Sequence, residues 1–116
     1  MKVIYIAGPF RAANQWEQEQ NIRRAEELAL EVWKLGAVAL CPHLNTRFYQ
    51  GALPDEVWLT GDLELLDRCD AVLLVSGWER SVGTKAEIRH AETSGIEIFR
   101  DLESLGDWIH QHTAAQ

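Results

Sequence analysis

With 116 residues, 47% of them hydrophobic, the chain has enough apolar mass for one core, and its length sets the expectation of a single domain spanning residues 1–116. Eleven basic residues against 18 acidic ones give a formal net charge of -7, which works against binding to nucleic-acid polymers and to anionic membrane surfaces. Small anions remain compatible with that charge, because one arginine or one helix N-terminus is enough to hold a phosphate.

The opening segment, MKVIYIAGPFR, carries one lysine and a short apolar run broken by Gly8-Pro9. It is too short for a signal-peptide core or a membrane span, so a cytoplasmic location is expected. Its β-branched and aromatic part, Lys2 to Ala7, reads as a buried strand. Asn14 followed by Glu17 resembles a capping box, after which Ile22, Ala25, Leu28, Ala29, Val32 and Trp33 recur at helical spacing up to Gly36. A second strand is expected over Ala37 to Cys41, ended by Pro42. The polar stretch PHLNTRFYQGALP then reads as a connection long enough to be functional.

Pro54, Asp55 and Glu56 open a second helix through about Arg68, with Val57, Trp58, Gly61, Leu63, Leu65 and Leu66 on its apolar face. Ala71 to Ser76 is continuously apolar, as central parallel strands are. The stretch VGTKAEIRHAETSG reads as a helix ending at Gly95, IEIF as a fourth strand, and Leu102 to His112 as a last helix with Leu105, Trp108 and Ile109 inward. Cys41 and Cys69 are the only cysteines, lack metal-ligand spacing and border apolar segments, so two reduced, buried thiols are expected.

Strands alternating with helical connections predict an α/β fold: a Rossmann-like or flavodoxin-like three-layer sandwich with a mostly parallel sheet. In such sheets ligands gather outside the carboxyl ends of the strands, near a topological switch point. That edge supplies Tyr5, Gly8, Arg11, His43, Asp62, Trp78, Ser81, Gly83 and Glu87. Each also has a plain structural reading. Gly8-Pro9 serves as a turn and falls short of a dinucleotide fingerprint. Arg11 fits a solvated cation, His43 a partner for loop backbone, Trp78 a core or contact aromatic, and Ser81 an N-cap with Glu87 an ordinary helical residue. Against the last of these stands the spacing. Ser81 and Gly83 put a hydroxyl and backbone N–H groups at a positive helix end suited to phosphate, and Glu87 follows about one turn inside.

The segments YIAGPFR, NIRRAEELALEVWKLGAVALCPH, GDLELLDRCDAVLLVSGWERSVGTKAE and HAETSGIEIF together resemble the nucleoside 2-deoxyribosyltransferase superfamily, in the family's order over roughly residues 3 to 99. The small bacterial and phage members are the most similar. The most specific part is D-L-x(6)-D followed by S-x-G-x(3)-E. The resemblance implies that Glu87 is a nucleophile toward the anomeric carbon of a sugar, that Asp62 contacts the sugar or protonates the leaving base, and that Tyr5 belongs to the same site. At Arg11 and Ser81 the chain is similar to the 2'-deoxynucleoside 5'-phosphate N-hydrolases, which implies a phosphate-bearing substrate held there. Lys85 stands where the family usually has a small or apolar residue.

Cleavage of an N-glycosidic bond passes through an oxocarbenium-like state, which one carboxylate stabilises while a second acid protonates the leaving group. Glu87 is then expected to stay ionised, favoured by the helix N-terminus, and Asp62 to be protonatable, raised by burial beside a second carboxylate. No metal or other cofactor is expected. The expected partner is a small-molecule nucleoside or nucleotide, together with a second copy of the chain in a homodimer or larger assembly with Trp16, Trp58 and Trp78 at the contact. A catalytically silent nucleotide-binding module with the same pocket is the competing reading. A receiver-like domain would need an acidic pair after the first strand, where Gly8-Pro9 stands.

Overall fold

The apolar runs become four short strands, β1 (Val3–Ala7), β2 (Val38–Leu40), β3 (Ala71–Leu74) and β4 (Glu97–Phe99), in a computed structural model that describes residues 1–114. Residues 115 and 116, which the expected domain range includes, lie outside the described residues. Between the strands run α1 (Gln15–Lys34), α2 (Pro42–Asn45), α3 (Asp55–Asp67), α4 (Val82–Ser94) and α5 (Leu102–Ala114), with a 3-10 turn over Trp78–Arg80. All strand pairings are parallel and the order is β2-β1-β3-β4. The connections reverse direction across β1, so the switch point lies between the carboxyl ends of β1 and β3.

Strand side chains alternate between the two faces, and each face has its own helices. Ile4, Ile6, Leu73 and Val75 pack with Ala25, Ala29 and Val32 of α1 and Leu105 and Ile109 of α5. On the other face Tyr5, Ala7, Val72 and Leu74 pack with Leu66 of α3 and Ala91 of α4. This is the three-layer sandwich expected from the sequence, with a sheet that is wholly parallel. Among the described residues no helix is long and apolar enough to cross a membrane.

Several local expectations are corrected. The strands are shorter than their apolar runs: Ala37, Cys41, Val75, Ser76 and Ile96 fall outside the ladders. Trp33, expected inward, is 53% exposed, because it is turned by about 100° from its buried neighbour Val32. On α3 the buried stripe is narrow: Val57 and Gly61 face solvent, Leu63 and Leu65 are half-buried, and Leu66 is fully covered. The connection after β2 begins with the single turn of α2, where Pro42 sits at the helix start and its missing N–H costs nothing. The rest of that connection is tied to α1 by an Arg47–Glu19 ion pair and by Gln18 donating to Gln50 at 3.3 Å.

Helix ends follow the sequence more closely. Asn14 accepts from the Glu17 backbone N–H at 2.8 Å, and the left-handed Gly36 turns the chain out of α1. Cys41 and Cys69 are buried free thiols, as expected, and burial pushes both up to about 11, which keeps them protonated at neutral pH.

Candidate functional site

β1, α3 and α4 each bring one titratable side chain to the same place. Tyr5 points from β1 toward the α3 and α4 side of the sheet and is fully buried. Its hydroxyl donates a short hydrogen bond to Oε2 of Glu87, which lies 82 residues further along the chain on α4. Asp62 on α3 lies close enough for its charge to act on both. The three residues singled out for chemistry are thus one cluster beside the central strand.

Burial dominates the electrostatics of the cluster. It raises the Tyr5 phenol far above its ordinary value, and the charges of Glu87 and Asp62 add to the effect, so Tyr5 stays a hydrogen-bond donor. Glu87 is pushed up to about 7, first by burial and then by the charge of Asp62, with the Tyr5 hydrogen bond pulling the other way. Asp62, the less enclosed of the two, is raised to about 6 by burial. The expectation that the helix N-terminus keeps Glu87 ionised is therefore corrected: desolvation outweighs the helix dipole. The charge of Asp62 adds to the burial of Glu87, so Asp62 loses its proton first and Glu87 is only about half ionised near pH 7.

A stability prediction follows from Glu87. Between its ordinary value of 4.5 and about 7, the folded chain keeps a proton that the unfolded chain has released. Its contribution to stability is therefore full below about pH 4.5 and is lost as pH rises through 7. Glu87→Gln removes this dependence and should leave the folded protein more stable than wild type at pH 8, by on the order of 2–3 kcal/mol. Urea titrations at pH 5 and pH 8 check it: a wild-type loss that the variant reproduces in full would assign the pH dependence to other groups.

The loop after β1 is held from two sides. Asn21 donates from Nδ2 to the Phe10 carbonyl at 3.2 Å, and His43 Nε2 lies 2.9 Å from the Pro9 carbonyl, which can only accept, so Nε2 carries the proton. Burial lowers the affinity of His43 for a second proton, and its Nδ1 is buried with no partner among the described residues. His43 thus takes the plain role of binding loop backbone. Gly8 has a packing reason: a Cβ there would meet the Cβ of Val75 at 2.4 Å.

At the start of α4, Ser81 is the N-cap. Its Oγ accepts from the Thr84 N–H at 3.1 Å and from the Thr84 hydroxyl at 2.8 Å, which leaves its own proton free to be donated. Gly83 is exposed, with nothing within 4 Å of a Cβ placed on it. Arg11 does not stand free: it forms an ion pair with Asp55 in the first turn of α3. Trp78 packs with the cluster on the α3 and α4 side, and the Arg100 guanidinium lies 5.7 Å from its ring centroid.

Of the other aromatics expected at a subunit contact, Trp16 is 74% exposed. Trp58 is half-buried against Tyr49, its indole N–H lacking a partner among the described residues. Two open hollows of about 470 and 450 Å³ lie elsewhere, one between α1 and the end of β3, the other between Leu35 and α5, and neither is lined by Tyr5, Asp62 or Glu87. Among the described residues no group of three or more His, Cys, Asp or Glu side chains could hold a metal ion.

Two participants escaped the sequence reading. Thr84 is almost wholly buried and fixes the Ser81 hydroxyl, a role its place three residues after an N-cap could have signalled. Asp55 carries in the sequence only the signal of a helix-opening acid, and its pairing with Arg11, 44 positions away, is tertiary and leaves no local signal.

Known proteins agree with this architecture. The solved 2-deoxyribosyltransferase from the psychrotolerant bacterium Bacillus psychrosaccharolyticus has a similar fold, with a TM-score of 0.62 and 21% identity over 83% of this chain and 69% of that one. No curated protein sequence matches. Residues 2–101 match a family described as "Domain of unknown function (DUF7768)", and the chain, whose Tyr5, Asp62 and Glu87 all fall within that span, belongs to this family.

Proposed function

We propose that this chain cleaves or transfers the N-glycosidic bond of nucleosides or nucleoside 5'-monophosphates, with Glu87 as nucleophile and Asp62 as general acid. The observation that carries the reading is the buried hydrogen bond from Tyr5 to Glu87 with Asp62 beside it, three groups from three elements next to the switch point. The fold likeness to a 2-deoxyribosyltransferase supports the substrate class.

In this reading the proton that Glu87 keeps up to about pH 7 can pass to Asp62 beside it. As positive charge develops on the sugar it favours an ionised Glu87, which leaves the proton with Asp62. A Glu87 oxygen forms a bond to the anomeric carbon while the bond from that carbon to the base nitrogen breaks. The bonding pair stays on the nitrogen, and Asp62 supplies the proton it takes. Water or a second base then attacks the same carbon and releases Glu87 as a carboxylate, its surplus proton returning to Asp62. Tyr5 holds Glu87 in line through its hydrogen bond. Arg11, the Ser81 hydroxyl and the backbone N–H groups around Gly83 receive a 5'-phosphate, while Gly8 and His43 shape the loop that carries Arg11. Trp78 borders the same edge.

The test is incubation at high protein concentration with the four common 2'-deoxynucleosides and their 5'-monophosphates, with free base resolved by chromatography. Base should appear, and faster from monophosphates. Arg11→Ala should lower kcat/KM for the monophosphate about tenfold, as loss of charge-assisted hydrogen bonds does, and change the nucleoside value little. No base above the uncatalysed background would leave an inert nucleotide-binding module. Equal losses for both substrates would give Arg11 a structural role.

A further inference from the structure

Arg11 is the cation that the nucleotide reading assigns to a substrate phosphate, yet in the structure a carboxylate already occupies it. The Arg11 guanidinium pairs with Asp55 across the rim between the β1–α1 loop and the first turn of α3. Both side chains are about half exposed, so the contact is open to exchange. Asp55 also sits in the first turn of α3, where the helix macrodipole attracts its negative charge and holds it in place when its partner leaves.

We propose that Asp55 is a specificity-determining residue, an internal competitor that a ligand phosphate displaces from Arg11. The inference rests on the nucleotide reading above. A phosphate presents the same acceptor geometry as a carboxylate, with more oxygens and about twice the charge, and so wins the exchange. An uncharged nucleoside has nothing to offer Arg11 and leaves the pair closed. Asp55 therefore holds down the affinity for the phosphorylated ligand and does not act on the unphosphorylated one, which sets how sharply the site separates the two. An exposed ion pair of this kind corresponds to about a two- to fivefold penalty on phosphate binding.

The experiment is calorimetric titration of 2'-deoxynucleoside 5'-monophosphates and the matching nucleosides into wild type, Asp55→Asn, Arg11→Ala and the double variant, at one fixed ionic strength. Asp55→Asn should raise monophosphate affinity about two- to fivefold and leave nucleoside affinity where it was. On the Arg11→Ala background the same substitution should change neither. A rise of equal size with and without Arg11 would trace the effect to the general field of Asp55 rather than the pair, and would overturn the proposal, as would no rise at all. Asp55→Ser should repeat the asparagine result if freeing Arg11 is the cause, and a rise seen with only one of the two replacements would also count against it. Wild type that binds neither ligand class would overturn the nucleotide reading, and this inference with it.

Discussion

Glu87→Gln should abolish base release, lowering kcat/KM by at least about 10³-fold, in a protein that folds as wild type does. The amide matches the carboxylate in size and still accepts the Tyr5 hydroxyl, so the buried hydrogen bond survives. What it loses is the oxygen that forms the glycosyl ester and the negative charge opposite the oxocarbenium-like state. The same substitution raises stability at alkaline pH, because it removes a carboxyl that burial makes costly to ionise. Loss of activity together with a gain in stability separates a catalytic carboxylate from an ordinary helical glutamate, whose removal shifts stability by no more than about 0.5 kcal/mol and leaves activity alone. A Glu87→Gln protein with normal turnover would remove Glu87 from the chemistry.

Gly8→Ala should produce the largest loss of stability available from a single methyl group at this site. Its Cβ would lie 2.4 Å from the Cβ and 2.7 Å from the Cγ2 of Val75. Val75 cannot step aside, because its backbone N–H donates to the Ala7 carbonyl at 2.8 Å, next to the substituted position. Overpacking of this kind costs about 1–3 kcal/mol, which for a chain of this size lowers the melting temperature by about 4–12 °C. Adding Val75→Ala removes the γ-methyl conflicts but keeps the Cβ contact, so it should recover only part of the loss. Scanning calorimetry of the single and double variants checks this, and a Gly8→Ala melt within about 1 °C of wild type would show that the two central strands do not need a bare α-carbon there.

The legible parts of the molecule were those set by periodicity and by local capping. The runs Lys2 to Ala7 and Ala71 to Ser76 and the helical spacing of Ile22, Ala25, Ala29 and Val32 were enough for an α/β sandwich, because strand and helix faces must be covered by one another. Asn14 and Ser81 both cap the helices their sequence positions suggested. Strand ends were less legible, since β3 ends at Leu74 although Val75 and Ser76 follow in the same run and the Val75 N–H still donates to the Ala7 carbonyl. Trp33 shows a related limit: spacing marks which residues are apolar, but a helix can cover only about one third of its circumference against the sheet.

For the site, the sequence named Tyr5, Asp62 and Glu87, and the structure brings those three together. It did not carry their proton balance. That balance depends on how deeply α4 buries Glu87 and how near α3 holds Asp62, both of which are tertiary quantities. The Arg11–Asp55 pair was hidden for the same reason, as neither residue has a local pattern that points to the other. Thr84 and Val75 were passed over because a small polar residue and a strand-end valine look ordinary until their neighbours are known.

The central claim is that Glu87 carries the sugar, and it is tested most directly by trapping. A 2'-fluoro-substituted deoxynucleoside 5'-monophosphate slows both formation and breakdown of the glycosyl ester, because the fluorine withdraws electrons from the oxocarbenium-like centre, and a good leaving base restores the first step. Mass spectrometry of the protein after such incubation should show the added mass of the fluorosugar phosphate, and peptide mapping should put it on Glu87, with no adduct in Glu87→Gln. Base release from an unmodified substrate with no adduct from the analogue, or an adduct on Asp62, would contradict the account.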